Sequence, residues 1–171
     1  PVATKCQSFL KANTSLPESV LLVFALAFYN AKWFQEAEEL SKTIIDNKPE
    51  PILAAKAHHL AGISLNRQHG KQRLSHLETA LELALQAEAH NPETLRTLGI
   101  INNSLGEEFS ALAVTDSSAK EKAKQYFLES IRYKSMKKNN DTPGLARTYG
   151  GLGRLELFAL KPDYNEALLW F

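Results

Sequence analysis

Asn91-Pro92-Glu93-Thr94-Leu95-Arg96-Thr97-Leu98-Gly99 carries the pattern of a helix that packs closely on a neighbour. Asn-Pro marks a break in the chain. The residues after it return apolar groups at i, i+3, i+4 and i+7, the period of a helix with one buried face. The stretch closes on a tandem, a Leu followed by a residue too small to hold a neighbouring helix away. That tandem recurs as Ala61-Gly62 and Leu152-Gly153, and as Phe24-Ala25 nearer the start. Between tandems lie helices of a second kind, in which Ala is followed four residues later by an aromatic: Ala123 and Phe127, Ala167 and Phe171. Small residues let the two helices approach and the aromatic fills the space between pairs. Neither pair can bury its apolar face alone.

The helical period runs from end to end, and nowhere do Val, Ile and Thr alternate with polar residues over strand-like lengths. Breakers stand at Pro17, Pro49 with Pro51, Gly70, Asn91-Pro92, Gly106, Pro143-Gly144 and Pro162. They predict helices over 2–13, 18–31, 33–47, 51–69, 73–90, 92–106, 118–138, 143–160 and 163–171. Ser75 with Glu78 and Ser118 with Glu121 have capping-box spacing, and Thr142 is expected to cap a helix whose first residue is Pro143.

These residues resemble the tetratricopeptide repeat, TPR. The tandems stand where the family's helix A carries a Leu and a small residue. Helix B is matched by Ala37, Ile44 and Pro49, by Ala80, Ala87 and Pro92, by Ala123 and Phe127, and by Ala167 and Phe171. Read backwards from Pro17, Ala12 and Phe9 fall at the same offsets, so 2–13 resembles helix B of a preceding repeat. The pairs then span about 18–49, 51–92, 92–138 and 143–171, the last cut short. The resemblance implies an all-α fold, a right-handed superhelix of eight or nine helices in antiparallel pairs, forming one α-solenoid domain over 1–171. The small positions Ala25, Gly62, Gly99 and Gly153 are spaced by 37, 37 and 54 residues, against about 34 in the family. The excess falls near 106–117, as an extension of helix A or an inserted loop. Half-repeats at both ends make the expected whole a longer solenoid, with Leu168-Leu169-Trp170-Phe171 as an exposed end open to self-association.

Composition narrows the function classes. The chain has 171 residues, 44% of them hydrophobic, and 20 Lys+Arg against 19 Asp+Glu leave a net charge of +1. No global field draws it to nucleic acid or an acidic membrane. A single cysteine, Cys6, excludes an internal disulfide framework and fits a cytoplasmic setting. The longest apolar run, Val20 to Phe28, is about half of the roughly 20 residues a membrane span needs.

No catalytic chemistry is legible. Adjacent His58 and His59 point about 100° apart on a helix and cannot share a metal as an i, i+4 pair can. No metal or cofactor is therefore expected. Gly150-Gly151-Leu152-Gly153 falls inside a helix with no strand before it, so its glycines serve packing, not phosphate. The cluster Arg132, Lys134, Lys137 and Lys138 sits at a helix C-terminus, where cations complement the helix dipole without any nucleic acid.

In the family the concave groove is lined by helix A. Carried over, its positions are Leu22, Leu26, Tyr29 and Asn30; then Lys56, His59, Ile63, Asn66 and Arg67; then Arg96, Ile100 and Asn103; then Arg147, Gly150, Arg154 and Leu157. Cations and amides dominate, which implies an acidic protein or peptide partner gripped by charge-assisted hydrogen bonds. The Lys, Asn, Asn, Lys, Arg order by which chaperone-binding relatives clamp a carboxylate tail is not reproduced. The expected function is a protein-binding scaffold. A different class, a ligand-sensing or autoinhibitory segment of a multidomain ATPase or protease-linked regulator, is suggested by the half-repeats at both ends; Asp141 to Tyr149 also resembles the start of the longer helical repeats appended to signalling ATPases and regulators.

Overall fold

Among the described residues the chain forms nine α-helices and one short 3-10 turn. The computed structural model describes residues 2–13, 15–88, 90–136, 139 and 141–171, with the backbone alone at 2, 3, 6 and 11. Helices α1 (Val2–Ala12), α2 (Glu18–Asn30), α3 (Phe34–Asp46), α4 (Pro51–Ser64) and α5 (Gly70–Gln86) belong to a first compact unit, residues 1–86. Helices α6 (Pro92–Leu112), α7 (Ser118–Lys134), α8 (Thr142–Phe158) and α9 (Tyr164–Trp170) belong to a second, 87–171. The fold is all-α and built from adjacent helix pairs, as the periodicity predicts. No helix is long and apolar enough to cross a membrane among the described residues.

In the first unit α2 packs on α3 and α4 on α5, with α3 and α2 also touching α4. The small tandem positions Ala25, Ala61 and Gly62 are buried, and so are Ala37, Ile44 and Ala80 of the answering helices. Helix α2 ends because Lys32 adopts φ 64°, which turns the Trp33 N–H back onto the Phe28 carbonyl at 2.9 Å. The Trp33 ring then stacks on Phe28, centroids 5.9 Å apart. Phe9 of α1 stacks on Phe24 at 5.5 Å, whereas Ala12 is exposed.

The helix expected over 51–69 stops at Ser64. Leu65 is extended, with ψ 143°, and buried Arg73 of α5 reaches back to hydrogen-bond the carbonyls of Ile63 and Leu65. Asn66 then opens the 3-10 turn Arg67–His69 by accepting from the Gln68 N–H at 3.1 Å. Helix α5 starts at once from Gly70, so Ser75 lies inside it and caps nothing.

In the second unit α6 packs on α7, α7 on α8, α8 on α9, and α6 also touches α8. Gly106, expected as a breaker, sits in mid-helix: α6 runs on to Leu112, and the excess length near 106–117 is chiefly an extension of helix A. The caps move by one or two residues. Asp116, not Ser118, starts α7, accepting the Ser118 N–H at 2.9 Å and hydroxyl at 2.7 Å; those bonds hold its carboxyl below the usual range. Asp141, not Thr142, starts α8 by accepting the Gly144 N–H at 3.0 Å. An anionic Asp answers the helix dipole where a hydroxyl does not.

Candidate functional site

Helix α6 meets α8 and α7 around one buried polar node. Thr148, fully buried on α8, is its centre: its hydroxyl lies 2.8 Å from the Asn103 side-chain oxygen on α6, 2.9 Å from the Gly144 carbonyl and 3.2 Å from the Ser130 hydroxyl on α7. Ser130 also donates to the Gly99 carbonyl at 2.7 Å. The last residue of α7, Lys134, turns its stem inward over Gly99 and donates to Thr148 Oγ1 at 2.8 Å and to the Gly144 carbonyl at 3.1 Å. Burial pushes its ammonium down to about 8, with Arg147 adding to the effect and Asp141 and Glu107 opposing it. Asn103 completes the node by donating to Glu107 at 3.0 Å.

The expected groove residues of this unit therefore divide. Asn103 is buried and committed to Thr148 and Glu107, so it holds α6 to α8 and offers nothing to a partner. Arg96, on the same helix, and Arg147 and Arg154, on α8, are exposed. None of the three has a hydrogen bond or ion pair to another described residue. Ile100, one turn from Arg96, and Tyr149 add exposed apolar surface on the same two helices.

In the first unit Tyr29 is half-buried against the Phe34 ring, centroids 5.5 Å apart, and Asn30 is exposed at the end of α2. Lys56 and His59 are half-buried on α4; desolvation pushes the His59 imidazole down to about 4. Asn66 and Arg67 are exposed but lie past the end of α4, so they do not continue the face that carries Lys56, His59 and Ile63.

Two arrangements escaped sequence reading. Lys134 belongs to the terminal basic cluster by sequence, yet its ammonium is internal; Arg132 beside it pairs with Glu129 at 2.6 Å, while Lys137 and Lys138 lie outside the described residues. His58 meets His76 of α5, Nδ1 to Nδ1, at 3.1 Å. Burial lowers both imidazoles, and His76 is lowered further by Lys42 and raised by Glu38, both on α3. The side chain of Cys6 lies outside the described residues.

No family model matches the chain, and a search of curated proteins found no match either.

Proposed function

We propose that the chain is a tetratricopeptide-like interaction module that holds an acidic segment of another protein on the α6–α8 face. What supports this reading most is the set of three exposed guanidiniums in the second unit that form no ion pair with another described residue. Other charges there are paired: Glu129 with Arg132, Glu156 with Lys120 and Glu166 with Lys124, while exposed Glu107 accepts from Asn103. The guanidiniums of Arg96, Arg147 and Arg154 are left facing solvent on two touching helices. A guanidinium presents two parallel N–H groups to a carboxylate, a geometry that an extended acidic peptide can satisfy repeatedly. Ile100 and Tyr149 supply the desolvated contacts that turn such pairing into affinity. The module binds and has no catalytic step of its own.

Fluorescence anisotropy with a dye-labelled, glutamate-rich peptide tests the reading. Binding is expected to weaken steeply with salt, because the contacts are surface ion pairs. Reversing charge at Arg96 and Arg147 together should cost more than tenfold in Kd, each site contributing about 1 kcal/mol or more. Both side chains are exposed, so the double variant should keep its helical circular dichroism. Unchanged peptide affinity in that variant, or tighter binding to a single-stranded oligonucleotide than to the peptide, overturns the assignment.

A further inference from the structure

The His58–His76 contact joins nitrogen to nitrogen. Two imidazoles from different helices, α4 and α5, face each other through the same ring atom, Nδ1, at 3.1 Å with ring centroids 5.2 Å apart. In the neutral state one ring must donate and the other accept, so one of them carries its proton on Nδ1. Both residues are half-buried.

We propose that His58 and His76 form a two-imidazole site for a divalent transition-metal ion. Metal–nitrogen bonds are about 2.0–2.1 Å long. An ion equidistant from two nitrogens 3.1 Å apart would then see them at an angle of about 95–102°. That value lies between the octahedral and tetrahedral angles, so the nitrogens are spaced for one ion once both rings turn their Nδ1 lone pairs toward it. Among the described residues no group of three or more His, Cys, Asp and Glu is placed to hold a metal, so water completes the shell. The α3 side presents one carboxylate and one ammonium, Glu38 and Lys42, joined at 2.5 Å, of which Lys42 acts more strongly on His76. Imidazole ligands select the later first-row ions, with Cu²⁺ held tightest, then Ni²⁺ and Zn²⁺.

The proton count closes without an external base. The ring that donates its Nδ1–H re-forms as the Nε2–H tautomer, both Nδ1 lone pairs bind the ion, and the charge of the neutral pair is unchanged. One ion bridging α4 and α5 would fasten the second helix pair of the first unit from outside its apolar core.

The test uses the full chain with His69 and His90 replaced by Gln, since both are exposed and could bind metal by themselves. Zinc chloride is titrated by calorimetry, and the imidazole nitrogens are followed by long-range ¹H–¹⁵N correlation. One equivalent of Zn²⁺ should bind, both Nδ1 resonances of His58 and His76 should shift, and the melting temperature should rise with metal concentration. Replacing either His58 or His76 with Gln should weaken binding by more than about tenfold, at least the loss seen for second-shell changes. Far-ultraviolet circular dichroism shows that each variant is folded, and the two variants sit on different helices, so one packing defect cannot mimic both results. Absence of Zn²⁺ binding, binding through Nε2, or an affinity unchanged in H58Q or H76Q overturns the site.

Discussion

The Phe127 ring lies so close over Gly106 that a Cβ on the glycine would fall 2.6 Å from Cδ1. The same ring also covers Gly151 of α8, where a Cβ would fall 2.7 Å from Cε1. Phe127 is fully buried, held between two helices that each give up a side chain to admit it. Phe171 repeats half of this arrangement over Gly153, with a would-be Cβ at 2.5 Å. The aromatic four residues after the helix-B alanine thus seats on a helix-A glycine in both pairs of the second unit. In the third pair that glycine is Gly106, whereas Gly99, the tandem residue, receives Lys134 and Tyr133.

Adding one methyl at either glycine overpacks this seat. Gly106→Ala and Gly151→Ala should each destabilise the second unit by about 1–3 kcal/mol, although alanine is the better helix former. Phe127→Leu should recover part of the loss in Gly106→Ala, because a smaller side chain makes room. Urea unfolding of wild type, the two glycine variants and the Gly106→Ala/Phe127→Leu double variant checks this; a Gly106→Ala midpoint at or above wild type would show that the ring can move aside.

Lys134 predicts an alkaline gain in stability. An unfolded lysine titrates near 10.5, while the folded group sits at about 8. Between those values the unfolded chain binds more protons, so unfolding free energy rises with pH across the window. Lys134→Met should be no less stable than wild type near pH 7.5, since it removes a charge that burial disfavours, and should show a flatter rise towards pH 10. Denaturant midpoints of both proteins across that range decide it; parallel curves would locate the titrating group elsewhere.

Glu156 predicts how α9 is held. Its carboxylate is fully buried on α8, 2.5 Å from the Lys120 ammonium and 4.0 Å from that of Lys124, which also grips Glu166 of α9. Removing one side of such a cluster leaves uncompensated charge. Glu156→Ala should cost about 2–3 kcal/mol, less than for a fully enclosed pair because both lysines reach water. Hydrogen exchange in α9 should accelerate before that in α6; protection lost equally everywhere would mean that Glu156 serves the whole unit.

Local patterning in the chain specifies the helices, their order in pairs and most of the buried small positions, Ala25, Ala37, Ala80, Ala123 and Ala167 among them. These follow from a 3.6-residue period and from turn chemistry, both local properties of the chain. Packing between helices makes Gly106 a seat and not a break, brings Asn103 to Thr148 45 residues away, and turns Lys134 inward. It also brings His76 to His58 across 18 residues. Each of these depends on how far two helices approach and at what register they meet. Side-chain packing sets both quantities, and spacing within one helix does not encode them.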